Sequence, residues 1–118
     1  MRTAIILLLF AGGIHAATIA TFVGTGEKGF SGDEGPATKA KINGPFGVTK
    51  GPAGSLYICD TMNHAIRKVD VSSGTISTVA GGRQGPEGDG GDATLAGLAR
   101  PHGVVADAGG THYIADSE

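Results

Sequence analysis

Two aspartates, Asp33 and Asp89, lie in glycine-rich stretches and are the first residues of this chain that could bind a ligand. A carboxylate among flexible backbone carbonyls can hold Ca²⁺ through hard oxygen ligands. Asp also forms turns by bonding its own backbone, and the spacing here matches no dense, alternating Asp loop. We therefore predict no resident metal or cofactor, and we keep loop binding by these two residues as a candidate role beside turn formation.

A second polar set follows short apolar runs and consists of Asp60, Asn63, His64, Arg67 and Asp116. An Asp near an Arg is usually a structural pair that pins a turn to a strand, and the pair is stronger when it is hydrogen-bonded. Asp60 and Asn63 can also bond their own backbone, as Asx turns do. We predict that these five residues form a structural motif; a role in facing a ligand is the alternative.

Catalysis has little support among the remaining residues. His64 and His102 could serve as metal ligands only if other ligating side chains converged on them. The sequence contains no Gly-x-Ser-x-Gly elbow and no Cys-x-x-Cys pair, and residues 24–26 (GTG) lack the Lys-Ser/Thr of a phosphate loop. We predict that the chain is not an enzyme on its own and has no catalytic residues.

Composition limits the fold and the partners. The chain has 118 residues, which suits one domain, and its 22 glycines with 40% hydrophobic residues indicate short strands joined by tight turns. The net charge is -2, with both signs interspersed, so no basic stripe is available for a nucleic acid. Cys59 is the single cysteine, which excludes a disulfide within the chain.

The N-terminus differs from the rest of the chain. Met1 and Arg2 precede an apolar run that extends from Ala4 to Ile14, which is typical of a secretory signal peptide. The run is shorter than the roughly 18 to 20 residues that span a bilayer, so we expect no stable membrane span. We predict a signal peptide over residues 1–17, cleaved after residue 16 or 17, and a secreted or periplasmic location; a buried strand or helix of the fold is the alternative.

An internal repeat organises residues 18–118. Residues 32–38 (GDEGPAT) recur as 88–94 (GDGGDAT), and residues 45–48 (PFGV) recur as 101–104 (PHGV), both at an offset of 56. Residues 18–24 match residues 75–81 at an offset of 57, so a loop between them differs by one residue. We place the units at about 24–80 and 81–118, with the second unit incomplete.

Glycine, proline and Asx residues divide the complete unit into four short strands, near residues 47–50, 55–59, 65–71 and 75–80. No helical periodicity follows the leader. Four antiparallel strands per repeat are the pattern of a β-propeller blade. We predict an all-β fold, a partial β-propeller of about two four-stranded antiparallel blades.

Residues 56–70 (LYICDTMNHAIRKVD) resemble the central stretch of NHL repeats, in which a strand ending in Asp is followed by Asn-His and an Ile-Arg-Lys strand. Residues 29–38 ahead of 45–48 are similar to the long interblade loop of secreted members. Ala65 and Cys59 depart from the family, which commonly has Arg and Ala there. NHL propellers usually close with about six blades, so the resemblance implies a truncated product or fragment of a six-bladed, TolB-like propeller.

The resemblance implies a secreted binding or scaffolding module whose loops contact a protein or glycan, without catalysis. Two alternatives stay open: a fragment of a metal-dependent six-bladed propeller enzyme of the lactonase or lyase type, and a non-functional truncation. A blade buries its faces against its neighbours. We therefore also expect self-association through exposed blade edges.

Overall fold

The computed structural model describes residues 4–9 and 17–118, which are all-β apart from four single-turn 3-10 helices. Every strand pairing is antiparallel. Within the described ranges, no helix has the length and apolar character that a membrane crossing requires. The strands are β1 (Ile5–Leu9), β2 (Thr18–Val23), β3 (Gly35–Pro36), β4 (Pro45–Lys50), β5 (Ser55–Asp60), β6 (Ala65–Asp70), β7 (Thr75–Gly81), β8 (Arg100–Ala106) and β9 (His112–Ser117).

One complete blade is formed by β4 to β7, and the short β3 pairs with the outer side of β7. The strands therefore lie in sequence order, because each is joined to the next by a tight turn. In the turn between β4 and β5, Ala53 and Gly54 have φ values of 56° and 70°, a left-handed conformation that glycine adopts without strain. The four predicted strands are present, with ends that differ by one or two residues.

A partial unit precedes this blade. β2 occupies the position that β7 holds in the complete unit, and β1 pairs with β2 along residues 5–9. The residues of the predicted signal peptide other than 4–9 and 17 lie outside the described ones, so cleavage and export stay predictions.

A second partial unit follows, in which β8 and β9 repeat β4 and β5 and form a sheet of two strands. The register shift near the start of β8 repeats the shift near the start of β4. Within the described residues, no strand pairs with the outer edge of β9.

The apolar core lies on the two faces of the complete blade. One face carries Ile58, Val69 and Ile76, which pack with Val23 of β2 and with apolar residues of the following loop. The opposite face carries the cluster Tyr57, Cys59, Ile66, Ala80 and Val104, the last from β8. Because strand side chains alternate between faces, one sheet contacts both of its neighbours.

Candidate functional site

The centre of the polar network is Arg67 on β6, whose side chain is fully buried. One terminal nitrogen donates to Asp60 Oδ2 at 3.1 Å, and the other donates to Asp33 Oδ1 at 2.9 Å and to the backbone oxygen of Ser31 at 3.1 Å. The ring of Phe30 lies 5.0 Å from the guanidinium carbon, within range of a cation–π contact. Arg67 thereby ties the long loop of residues 29–36 to the blade.

Asp60 ends β5 and is also fully buried. Its Oδ1 accepts a hydrogen bond from the backbone N–H of Asn43 at 2.7 Å, and its Oδ2 accepts one from Asn63 Nδ2 at 2.9 Å. Burial raises the pKa of Asp60, an effect opposed by the bonds from Asn63, Asn43 and Arg67. The bonds of Asp60 thus come from Asn63 in the adjacent turn and from Asn43 and Arg67 farther away in the chain, and the backbone bond that an Asx turn would make is not among them.

The Asn-His pair lies in the turn between β5 and β6. Asn63 Nδ2 also donates to the backbone oxygen of Gly29 at 2.7 Å, which again anchors the long loop rather than an Asx turn. His64 has a left-handed backbone with φ of 55°, and its Nδ1 contacts the backbone oxygen of Ala99 in the next unit. His102 lies elsewhere, with its ring 4.8 Å from that of Phe46.

The two predicted loop aspartates have different surroundings. Asp33 uses both carboxylate oxygens, because Oδ1 pairs with Arg67 and Oδ2 accepts a bond from Thr78 Oγ1 at 2.7 Å. Asp89 is exposed, and its carboxylate makes no ion pair in residues 4–9 and 17–118. In that second loop, Asp92 caps a 3-10 turn through Thr94, whose hydrogen bonds lower the pKa of Asp92.

Asp116 repeats only part of the Asp60 arrangement. Its Oδ2 accepts a hydrogen bond from the backbone N–H of Ala99 at 2.8 Å, the counterpart of the Asn43 contact. The side chain is exposed, and within the described part of the chain no arginine forms an ion pair with it. The structure therefore joins Asp33, Asp60, Asn63 and Arg67 in one network and leaves Asp89 and Asp116 apart from it.

A cleft of about 630 Å³ opens where the two long loops meet the end of β7. Its wall combines the exposed apolar side chains of Phe30 and Leu95 with the polar groups of Asp33, Thr78 and Arg83. Arg83 donates to the backbone oxygen of Leu95 at 2.6 Å, which fixes one end of its guanidinium. Its other N–H groups make no further hydrogen bond within residues 4–9 and 17–118. Apolar surface beside a few fixed polar groups is the usual composition of a ligand site.

Phe30, Arg83 and Leu95 were not among the residues selected from the sequence. Arg83 stands where the offset of 57 places Gly26 in the preceding unit. Arg83 could have been identified from this difference, because it places a charged side chain where the other unit has glycine. Asp33, selected as a loop-binding candidate, does line the cleft, although Arg67 and Thr78 already occupy its oxygens.

No group of three or more His, Cys, Asp or Glu side chains suited to a metal ion occurs in residues 4–9 and 17–118. The ion-pair cluster consists of Arg67 with two carboxylates, the buried one of Asp60 and the partly exposed one of Asp33. Arg67 holds Asp33 and Asp60 in place, and the cleft beside them is the surface that can receive a ligand.

Comparison with known proteins bears on the fold of the chain. No family model matches the chain. A segment of 59 residues is 41% identical to NHL repeat-containing protein 2 of Bos taurus and covers 49% of this chain and 8% of that protein. A crystal structure from Bacteroides thetaiotaomicron VPI-5482, described as a structural genomics protein of unknown function, is 27% identical to this chain. The TM-score is 0.72, and the match covers 84% of this chain and 25% of that one.

A second structure from the same organism, described as an auxiliary nutrient binding protein, is 26% identical. The TM-score is 0.75, over 98% of this chain and 30% of that one. The chain thus spans less than a third of each of these proteins. Together with the strand order, these findings confirm the resemblance to NHL-repeat proteins and the predicted partial β-propeller fold.

Proposed function

We propose that this chain is a segment of an extracytoplasmic binding propeller, which presents the cleft between its two long loops to a glycan or protein ligand and performs no catalysis of its own. The observation that carries the proposal is the composition of the cleft. Phe30 and Leu95 offer apolar surface, and Arg83 offers N–H donors beyond the one that bonds Leu95 within the same 630 Å³.

The rigidity of one wall supports a binding role. Asp33 is held by Arg67 and Thr78, and Arg67 is itself fixed by the buried carboxylate of Asp60. A site whose polar groups are already positioned loses less conformational entropy when a ligand arrives. The loop of residues 29–36 is therefore a rigid wall of the cleft, and the loop that carries Arg83 and Leu95 forms the opposite wall.

The comparisons support the same class of function. One structural neighbour is described as an auxiliary nutrient binding protein, and the curated relative is named for its NHL repeats. A glycan is the first ligand to test, because sugar hydroxyl groups can accept hydrogen bonds from a guanidinium group while sugar C–H faces pack on apolar side chains.

The binding experiment compares wild type with Arg83→Ala and Leu95→Ala on a panel of immobilised neutral and acidic oligosaccharides. We expect both variants to weaken binding of the same sugars at least about tenfold, a loss near 1.4 kcal/mol. Lys39→Ala removes an exposed charge outside the cleft and is the matched control. Binding that is equal in all four proteins would contradict the cleft assignment.

Export is tested separately by fusing residues 1–17 to a reporter that is active only outside the cytoplasm. We expect active reporter and a mature N-terminus at residue 17 or 18, because the apolar run has the length and small-residue end of a leader. A reporter retained in the cytoplasm would remove the extracytoplasmic part of the proposal and leave the binding part standing.

A further inference from the structure

Arg83 is a cation of the cleft that has no carboxylate partner in the described part of the chain. Its exposed guanidinium donates through Nη2 to the backbone oxygen of Leu95 at 2.6 Å. A guanidinium carries five N–H groups in a planar fork, so most of them remain after one bond to a carbonyl. Arg83 is thereby held in place and keeps the donors and the charge that bind an anion.

The carboxylates on either side of the cleft are committed to other groups. Asp33 pairs with the buried guanidinium of Arg67 at 2.9 Å. Asp92 accepts hydrogen bonds from the backbone N–H and the hydroxyl of Thr94. Neither carboxylate therefore neutralises Arg83, and an anionic group of a ligand can take that place.

Two threonine hydroxyls in the walls are committed as donors. Thr78 Oγ1 donates to Asp33 at 2.7 Å, and Thr94 Oγ1 donates to Asp92 at 2.7 Å. A hydroxyl has one proton and two lone pairs, so each of these oxygens can still accept a hydrogen bond but has no proton left to give. The cleft thus suits a ligand that donates from hydroxyl groups near its anionic group.

The apolar part of the cleft also limits the charge of the ligand. Phe30 is 44% exposed, and its ring lies 5.0 Å from the buried guanidinium carbon of Arg67. Because this ring already contacts one cation, a second cation on its exposed surface would be repelled by the first. Leu95 is 67% exposed and extends the apolar surface. A neutral C–H face fits this surface better than a positive group does.

The counterparts of Arg83 and Leu95 are open beside a complete blade. Gly26 stands at the position of Arg83, and a Cβ added there would meet no described atom within 4 Å outside its chain neighbours. Lys39 stands at the position of Leu95 and is exposed. The exposure of these two positions is therefore a property of the long loop itself, and the cation and the apolar side chain are particular to this cleft.

We propose that the cleft binds a carboxylate-bearing sugar, a uronic acid residue of an acidic glycan. The carboxylate pairs with Arg83, whose planar fork matches its two oxygens. Hydroxyl groups of the sugar donate to Thr78 and Thr94. A C–H face of the sugar ring packs on Phe30 and Leu95. This inference rests on the proposed binding function and names the class of ligand for the same cleft.

The hydroxyl acceptors favour a sugar over an acidic peptide. An Asp or Glu side chain supplies a carboxylate without hydroxyl groups around it, whereas a uronic acid carries its hydroxyl groups on the same ring. The cleft of about 630 Å³ also lies in the size range of small-ligand sites. An acidic peptide is accordingly the competing ligand that the experiment has to include.

The experiment measures binding of the full chain to oligosaccharides of galacturonic, glucuronic and mannuronic acid, each beside its methyl ester. The ester has nearly the same size and the same hydroxyl groups but no charge. We expect at least one acid to bind at least about tenfold more tightly than its ester. This preference should shrink as the salt concentration rises, because ions screen an exposed pair.

Three variants locate the charge. Arg83→Gln keeps an N–H donor that can reach the Leu95 oxygen and loses the cation, so we expect the acid to bind about as weakly as the ester. Binding of the ester should stay unchanged, which shows that the variant is folded. Arg83→Lys keeps the charge without the fork and should retain part of the preference. Lys39→Gln removes an exposed cation outside the cleft and is the matched control.

The outcomes separate this inference from the proposed function. Equal binding of acid and ester, weakened in both by Leu95→Ala, would overturn the uronic acid and leave the binding cleft standing. A preference for the acid that survives Arg83→Gln would overturn the role of Arg83. Hexaglutamate bound as tightly as the best acid, and lost in Arg83→Gln, would assign the carboxylate to a protein partner. No binding of any sugar would contradict the glycan part of the proposed function as well.

Discussion

Tyr57 and Tyr113 occupy the same position in two successive units, yet the exposed fraction of the residue rises from 3% in the first to 59% in the second. Asp60 and Asp116 differ in the same way, since Asp60 is buried against Arg67 and Asp116 is exposed. Identical residues therefore have different environments, because the neighbouring strands and faces decide burial. In a repeat fold, the stability of each unit depends on its contacts with the next.

The largest test of this comparison removes the buried arginine. Arg67→Met leaves Asp60 without its cation, and loss of one partner from a buried pair costs about 3 to 5 kcal/mol. Asp116→Asn in the second unit should change the unfolding free energy by less than about 0.5 kcal/mol, as surface substitutions do. Urea unfolding followed by circular dichroism measures both.

Lys68→Met is the control for the arginine variant, because it removes a neighbouring charge of the same strand that is not fully buried. An Arg67→Met protein as stable as wild type would show that the network contributes little to the first unit. The asymmetry between the units would then rest on apolar burial alone.

Truncating the paired tyrosines tests the apolar half of the comparison. Tyr57→Ala should lower the unfolding free energy by about 3 kcal/mol, because it opens a cavity in the cluster with Cys59 and Val104. Tyr113→Ala should cost less than about 1 kcal/mol in the monomer. Equal losses, measured by urea unfolding at low protein concentration, would mean that the second unit is as tightly packed as the first.

A pH experiment sharpens the comparison at Cys59, whose counterpart is Ala115. Burial raises the pKa of the Cys59 thiol from 9.0 to about 11. The unfolded thiol ionises first, so this stabilising contribution is present below pH 9 and is lost as the pH rises to about 11, at about 1.4 kcal/mol per pH unit. Cys59→Ala should therefore lose less stability than wild type over this pH range. A pH dependence of thermal unfolding equal to that of wild type would contradict the contribution of Cys59.

The smallest expected effect concerns the glycine pair. Gly47→Ala should destabilise the chain by about 1 to 2 kcal/mol, because its Cβ meets the His102 backbone oxygen at 2.5 Å and the strands must separate. Gly103→Ala should leave the monomer within about 0.5 kcal/mol of wild type. Thermal unfolding of the two variants under dilute conditions tests the difference. A larger loss of stability in Gly103→Ala than in Gly47→Ala would mean that β4 and β8 do not lie close together.

Much of the fold was predictable because its signals are local. Alternating side chains and glycine-rich turns marked the strands from β4 to β7, and the repeat offset marked β8 and β9. The candidate site was less predictable. Phe30, Arg83 and Leu95 come from two loops more than fifty residues apart in the chain, and only the packing of consecutive units brings them to one cleft.

The sequence by itself determined the repeat, the strand order and the positions of the Asp, Asn, His and Arg residues, because turn chemistry and strand alternation act over a few residues. Tertiary structure alone decided that Asp60 reaches Asn43 in addition to Asn63 of the adjacent turn, that Asp33 is bound by Arg67, and that Tyr57 is covered while Tyr113 is exposed. These outcomes depend on which faces and loops meet across the sheet, and such long-range contacts have no local signal.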